Sequence, residues 1–567
     1  MRRAVSVLTV AVLALGAAAC GRDEEKGEPR VLRVLAGSEL SDLDETLREL
    51  EEERNIRVEL TPIGSVEGAR RLTDPQTLAA YDAVWFGADQ FFGLWRESRD
   101  ALLRQSPPLM RSPVVIGVRA ELAVQLGWDV TAPSWADIVD VIADGGFRFG
   151  MTRPDHSNSG LAGLVAAATA LADTGLPITE AGVPGLRLDL RRFFAGHRLS
   201  ADTSAVLSDA YVAQVESGGD ECGRSNRTDG VDGLLIYESE VARMNGVLPE
   251  DCRLKAIYPT EGTMIAEYRL SLLSGATDEE QRTFDELWQW LFSPDVQQRI
   301  QERTGRRPGN PDVTTEQTAI PSPQLRYPTD PRALSRLIDE YQAEIRTPSR
   351  MVFVLDVSGS MDKNMPQLRN ALVNLTGTDP NDPATYFNFL PGERVDFVPF
   401  SDRAQPPRRF VLPEGDTTRT LTEIQEYATK DLRPQGYTAM YDALRSAHEL
   451  TRPWLTDGTG GASTSIVLFS DGQNTCGTNY GQYMDYRRGL SEAERSVPIY
   501  TIAFDSGDQG TDRCGAYTPD AGPDDVPGDT QWERELRSVA EESGGELFTT
   551  GKDEPLYPVF WSIRGYQ

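Results

Sequence analysis

Histidine is almost missing from this chain. There are three, His156, His197 and His448, and none has the His-x-x-x-His spacing that a metal-binding helix uses. No Gly-x-Ser-x-Gly elbow and no phosphate-binding loop occurs. The carboxylates are too many to single out a catalytic pair. The chain therefore reads as non-enzymatic. Lysine is scarce as well, five residues against 52 arginines. Together these 57 cations face 87 Asp and Glu, a net charge of −30. That balance excludes nucleic acid as a partner and excludes a basic membrane-surface patch. It fits a soluble, exposed protein kept apart by self-repulsion. Cysteine is rare and odd in number: Cys20, Cys222, Cys252, Cys476 and Cys514.

What is present begins with the N-terminus. Arg2 and Arg3 precede an apolar segment from Ala4 to Ala19. Its length is short for a membrane span and normal for a signal-peptide core. It ends in Ala17-Ala18-Ala19-Cys20. This resembles the lipobox of bacterial lipoproteins, in which the Cys becomes the lipidated first residue. Ala17 departs from that pattern, which usually has Leu there. The alternative is ordinary cleavage after Ala19 and a free secreted protein. Residues 1–19 are thus expected to be a signal peptide, and 20–30, charged and Gly-containing, a tether. Lipidation at Cys20 would anchor the chain to the outer face of the cell membrane by its lipid alone.

A chain of 567 residues is too long for one core, so two to four domains are expected. Over 31–310, strands alternate with helices. Val31 to Leu35 runs into Gly37-Ser38, Ile56 to Leu60 ends near Gly64-Ser65, and Tyr81 to Phe86 precedes Gly87. A helix over Leu43 to Arg54 presents Leu43, Leu47 and Leu50 at helical spacing. The alternation predicts a parallel sheet with ligands at the carboxyl ends of its strands.

Further motifs follow in a set order. Ser112 to Arg119 is an apolar crossover strand, and Ser134-Trp135-Ala136-Asp137-Ile138 starts a short helix. Ser157-Asn158-Ser159-Gly160 opens the Ala-rich helix Leu161 to Thr174. Gly233 to Ser239 is a returning strand; Tyr258 to Gly262 and Thr277 to Pro308 supply a last strand and helix. In this order the segment resembles the type II periplasmic solute-binding proteins. The resemblance implies two lobes with a small or anionic solute between them, met by hydroxyls and helix N-termini. Ser159 and Gly160 stand at a helix start, where free N–H groups and the dipole favour an anion. Ser38 and Ser65 follow strands of the first lobe and are expected to face them. The plainer alternative for each Ser is a helix cap with no ligand.

Residues 311–345 are a linker and a helix. Pro311, Pro321, Pro323 and Pro328 make the first part an extended connector. Pro331 to Ile345 carries Leu334, Leu337, Ile338, Tyr341 and Ile345 on one face, and is expected to pack on the domain that follows.

That domain, 346–567, opens with the apolar run Phe353-Val354-Leu355-Asp356-Val357-Ser358-Gly359-Ser360. Three oxygen side chains at alternate positions on a tight turn suit a hard cation, Mg²⁺ above all. Asp and Ser also bond their own backbone in ordinary turns, so the run alone leaves both readings open. Strands are expected at Arg394 to Ser401, Arg409 to Leu412 (antiparallel, at an edge), Ser465 to Ser470, Pro498 to Phe504 and Glu546 to Thr549. Helices are expected at Met365 to Leu375, Arg419 to Thr429, after Gly436-Tyr437-Thr438, at Trp532 to Glu542 and at Leu556 to Arg564.

Asp356-x-Ser358-x-Ser360, Gly436-Tyr437-Thr438 and Ser470-Asp471-Gly472, in this order, resemble the von Willebrand factor type A domain. The resemblance implies a doubly wound, Rossmann-like fold. It also implies a metal-ion-dependent adhesion site made of Asp356, Ser358, Ser360, Thr438 and Asp471. The cation would be Mg²⁺, Mn²⁺ or Ca²⁺, and a protein partner would complete its shell with an Asp or Glu carboxylate. The four Cys beyond Cys20 are expected to pair within domains, Cys222 with Cys252 and Cys476 with Cys514, the latter at the rim of the metal site. Buried free thiols are the alternative. The Asp-rich loop 505–530 reads as solvated surface, with a Ca²⁺ site as its alternative.

Two functions fit this organisation; a third, assembly or chaperoning as with A domains that act on metal-insertion machines, is disfavoured by the export signal. One is a surface lipoprotein that grips a protein partner through the metal, with the first domain as sensor or second binding module. The other is a substrate-binding lipoprotein of an ABC transporter with an accessory second domain.

Overall fold

A computed structural model describes residues 28–551 and Leu556, except 218–221, 223–229, 315–320, 322, 347, 378–388, 390, 414–415, 456–463, 505–512, 516, 520–521 and 524–529. Cys20, every aspartate of the 505–530 loop, and all of the helix expected at Leu556 to Arg564 except Leu556 lie outside the described residues.

The first domain holds strands β1 (Arg30–Gly37), β2 (Ile56–Ile63), β3 (Ala83–Phe86), β4 (Leu102–Gln105), β5 (Met110–Arg119), β6 (Phe149–Thr152), β7 (His197–Ala201), β8 (Gly233–Tyr237), β9 (Leu254–Ile257), β10 (Ile265–Leu273) and β11 (Arg307–Pro308). Their order is β2-β1-β3-β10-β5-β8-β6-β7, with β4 on β10 and β9 and β11 on β5. Two lobes result. The first is built on β1 to β3 and the second half of β10, the second on β6 to β9 and the second half of β5. Among the described strands only β5 and β10 run through both. Ile265–Tyr268 pairs with Met110–Pro113, and Arg269–Leu272 pairs with Ala83–Phe86. Both pairings are antiparallel, so the sheet is mixed and not the parallel one that strand-helix alternation suggested. Residues 258–262 form no strand; the strand of that region is β10, whose alternate residues Ala266, Tyr268 and Leu270 are buried.

The helix Pro331–Glu340 does not pack on the second domain. Leu334, Leu337, Ile338 and Tyr341 join the apolar core of the first. Asp330 caps it, accepting from the Arg332 N–H, and Pro331 sits at its first position, where a missing N–H costs nothing.

The second domain has strands β12 (Arg350–Asp356), β13 (Arg394–Phe400), β14 (Arg408–Val411), β15 (Thr464–Ser470), β16 (Ile499–Phe504) and β17 (Leu547–Thr550), in the order β14-β13-β12-β15-β16-β17. All pairs are parallel except the edge strand β14. Because side chains alternate across a strand, β12 feeds two cores. Met351, Phe353 and Leu355 face the helices Met365–Asn374 and Thr418–Lys430. Val352 and Val354 face Met440–Thr451, Tyr480–Arg488 and Gln531–Glu541. Among the described residues no helix is long and apolar enough to cross a membrane.

Candidate functional site

The second domain brings the predicted metal residues to one sheet edge. β12 and β15 are adjacent and parallel, so their carboxyl ends, Asp356 and Ser470, emerge side by side. The Ser470 hydroxyl donates to Asp356 Oδ2 at 2.6 Å, and the Ser358 N–H donates to Asp356 Oδ1 at 2.8 Å. The Ser358 and Ser360 hydroxyls are 2.9 Å apart, and that of Ser360 donates to Asp471 Oδ1 at 2.8 Å. Asn364 Nδ2 reaches the other Asp471 oxygen at 3.2 Å. Thr438 is buried on the neighbouring loop, which is tied in by the Gly359 N–H on the Gly436 carbonyl at 3.0 Å. Gly436 has a φ of +75°, and a Cβ there would sit 2.5 Å from Asp402 Oδ1, so glycine is required.

Asp356 is fully buried and Asp471 nearly so. Burial, and for Asp356 also the negative charge of Asp471, pushes both carboxyl groups above the usual carboxylate range. Among the described residues neither forms an ion pair, and no three His, Cys, Asp or Glu side chains converge as metal ligands. The edge therefore gathers two uncompensated carboxylates and neighbouring hydroxyls, an oxygen-only set that fits a hard divalent cation better than a soft one. Asn364, Ser470 and Asp402 were not singled out from sequence. Ser470 lies inside the Ser-Asp-Gly motif, whereas Asn364 and Asp402 carry no local signal.

Both expected disulfides are present. Cys476 and Cys514 are joined, with Cα atoms 5.2 Å apart. The Cys476 N–H donates to the Thr438 carbonyl at 3.0 Å and the Cys514 N–H to the Thr475 carbonyl at 3.1 Å, so this bridge braces the rim of the edge. Cys222 and Cys252 are joined, with Cα atoms 5.4 Å apart.

In the first domain the lobes touch. The N–H groups of Val66 and Glu67, at the start of helix Ser65–Arg71, donate to the His156 carbonyl of the second lobe at 2.9 and 3.0 Å. Gly64 lets the two backbones meet, since a Cβ there would lie 2.5 Å from that carbonyl oxygen. The Ser38 hydroxyl accepts from the Ala205 N–H at 3.3 Å, again across the lobes. Ser65 is buried at the same contact. The Ser159 hydroxyl stays within the second lobe, bonded to Thr152, Ser157 and Ser204 at 2.7, 3.2 and 3.0 Å. A Cβ on Gly160 would lie 2.0 Å from the Thr152 carbonyl, so this glycine serves the packing of helix on strand. Asn158 lies against Gly87 of the first lobe, where a Cβ would sit 3.2 Å from its Nδ2; that Nδ2 donates to Tyr237 Oη of its own lobe at 2.9 Å, and its Oδ1 accepts from Tyr327 of the connector at 2.7 Å. Beneath lie Glu39, Glu240, Tyr268 and Arg306, all buried, with Arg306 clamped on Asp42 at 2.6 Å. Burial pushes the Glu39 carboxyl up to about 7.

Residues 32–307 match the profile of bacterial extracellular solute-binding proteins, and 351–554 match that of the von Willebrand factor type A (VWA) domain. The protein is a solute-binding-protein-like domain followed by a VWA domain. Both families are binding modules and not catalysts. Solved structures similar to the chain include the sulfate-binding protein SubI from Mycobacterium tuberculosis H37Rv, at 16% identity, covering 50% of this chain and 88% of that one with a TM-score of 0.38. The periplasmic binding protein AfuA from Actinobacillus pleuropneumoniae is 14% identical over 56% of this chain and 99% of its own, TM-score 0.41. Iron-bound HitA from Pseudomonas aeruginosa is 15% identical over 55% and 97%, TM-score 0.40. No curated protein matches the chain.

Proposed function

We propose that this is an exported solute-binding protein, the substrate-binding component of a transport system, with the VWA domain as an accessory module. The observation that supports this reading is the family match over 32–307 on a two-lobed fold joined by only two long strands, β5 and β10. Two lobes on such a connection can swing about it and enclose a small molecule. Helix Ser65–Arg71 and the Ser38 hydroxyl meet the second lobe through groups that an anionic or hydroxylated solute would also use. A thermal-shift screen of the full chain against small anions and sugars tests it. At least one should raise the first-domain transition. A panel that leaves that transition unmoved, in a protein whose VWA domain does answer to metal, would sink the reading.

A second reading is favoured by the buried pair Asp356 and Asp471. In it the VWA edge binds Mg²⁺, or Mn²⁺ or Ca²⁺, and engages an Asp or Glu of a partner protein, on a chain held at the membrane by lipid on Cys20. Asp356 and Asp471 would supply the negative charge and Ser358, Ser360 and Thr438 the hydroxyl oxygens. A bound cation would contribute the positive charge that an outside carboxylate can meet. Saturating Mg²⁺ at about 100 times Kd stabilises a domain by about 2.7 kcal/mol, or roughly 5–10 °C for one of this size. Asp356→Ala should abolish that shift. A wild-type VWA transition indifferent to Mg²⁺ and Mn²⁺ alike rules this reading out.

A further inference from the structure

The connector after the first domain is not a free linker. Gln324 bridges to Thr263, and the Leu325 N–H donates to the Thr263 carbonyl at 2.9 Å. Tyr327 then packs its half-buried ring against the first-domain core and sets its hydroxyl on Asn158, at the second lobe's helix start. The helix Pro331–Glu340 crosses to the first lobe, where it packs on the turn Gln90–Leu94; a Cβ on Gly93 would lie 3.1 Å from the Pro331 ring. Its end returns to the second lobe. Arg187 pairs with Glu340, Arg191 Nε donates to the Glu344 carbonyl at 2.5 Å, and the Tyr341 and Phe194 rings lie 5.0 Å apart. Gln342 Nε2 donates to Asp155 Oδ2 at 2.9 Å. Arg346 and Ser349 then bond Glu393 of the VWA domain at 2.6 and 2.7 Å, and β12 starts at Arg350.

We infer that residues 323–346 are an intramolecular strap that holds the two lobes closed and couples their opening to a displacement of the VWA domain. The inference rests on the solute-binding reading of the first domain and names the regulation of that same cleft. Among the described strands β5 and β10 alone cross between the lobes, so opening turns one lobe against the other about those strands. The strap is fixed to both sides of the movement. Opening must break Tyr327 from Asn158, Glu340 from Arg187 and Gln342 from Asp155, or peel Leu334 and Leu337 out of the core. Either route moves the end of the strap, from which β12 follows within four residues of Arg346. A pull on the VWA domain by a partner would act on the same contacts in reverse, because such coupling is reciprocal.

Hydrogen exchange on the full chain, with no solute added, tests this separately from any solute. The amides of Val66, Glu67 and Ala205 report the closed lobes, since their acceptors lie across the cleft. A triple variant Tyr327→Phe, Arg187→Gln, Gln342→Ala removes three of the polar anchors on the second lobe, leaving Arg191 on Glu344, without emptying the core. Exchange at the three amides should rise at least tenfold while β12 keeps its protection. Unchanged exchange overturns the strap. Should the triple variant unfold, Tyr327→Phe alone, which keeps the ring, decides in the same way: faster exchange upholds the strap and equal exchange overturns it. Coupling is read from spin labels at the exposed Val124 of the second lobe and Val411 of the VWA domain. Their distance distribution should broaden in the variant, and a distribution that stays put while exchange accelerates overturns the coupling.

Discussion

The two domains treat their polar edges in opposite ways. In the first, the helix start at Ser65 and the hydroxyl of Ser38 are satisfied by the facing lobe, through the His156 carbonyl and the Ala205 N–H. In the VWA domain, two buried carboxylates, Asp356 and Asp471, meet only hydroxyls and amides. Groups that can pair across a hinge let an empty site close on itself. Like charges cannot, and a buried uncompensated charge is costly. The cleft can therefore rest shut on itself, while among the described residues no cationic side chain offsets the two VWA carboxyl groups.

The largest expected effect that sharpens this contrast concerns the disulfides. Their sequence separations, 38 and 30 residues, give nearly equal chain-entropy terms of about 4 kcal/mol each. Removing Cys476–Cys514 with paired Ser substitutions should lower the VWA transition by that order and also weaken the Mg²⁺ binding proposed for this edge, because the bridge braces the Thr438 loop. Removing Cys222–Cys252 should lower the first-domain transition alike and leave Mg²⁺ binding alone. Calorimetry with and without Mg²⁺ separates the two. Equal loss of metal response in both variants would erase the claim that one bridge serves the site.

Next comes Leu337→Ala, on a helix that sequence alone attached to the wrong domain. Leu337 is fully buried in the first-domain core, so the cavity should cost about 3 kcal/mol. The first-domain transition should fall and the VWA transition should not. A shift confined to the VWA transition would reverse the assignment.

The misplacement shows what a sequence conceals. The helix itself was readable from the spacing of Leu334, Leu337, Ile338 and Tyr341, but an apolar face does not name the surface that will cover it. Tyr327 stood in a proline-rich connector, and its extended backbone was foreseen; its docking on Asn158 depends on a partner 169 residues away. The VWA edge was legible for the opposite reason. Asp356 and Asp471 follow adjacent parallel strands, so two of its three motifs converge by topology alone, and Thr438 joins them from the loop before helix Met440–Thr451. β10 was missed although Ala266, Tyr268 and Leu270 alternate with Glu267 and Arg269; its half-exposed Glu267 is held by Arg269 on the same strand and by Arg111 across the strands, contacts that the local sequence does not show.

The smallest effect contrasts two buried groups, one in each domain, by the sign of their response to acid. His448 in the VWA domain is buried, with Nε2 3.1 Å from Tyr483 Oη and Nδ1 without a partner. Burial, with Arg487 nearby, pushes the imidazole down to about 4. Between that value and about 6.5 the unfolded chain binds a proton that the folded chain refuses, so stability is lost as pH falls through this window. Glu39 in the first domain is the reverse case. Burial raises it to about 7, so between about 4.5 and 7 the folded chain keeps a proton that the unfolded one releases, and stability is lost as pH rises. His197, pushed down to about 4 by burial, opposes Glu39 within the same domain. Each contribution is isolated by its own variant. His448→Gln should remove about 1 kcal/mol of the VWA loss between pH 6 and 5. Glu39→Gln should flatten the first domain's loss between pH 5 and 7, leaving the slope of His197. A VWA transition whose acid response is the same with and without His448 would show that the imidazole titrates freely, and with it the burial argued for that helix would fail.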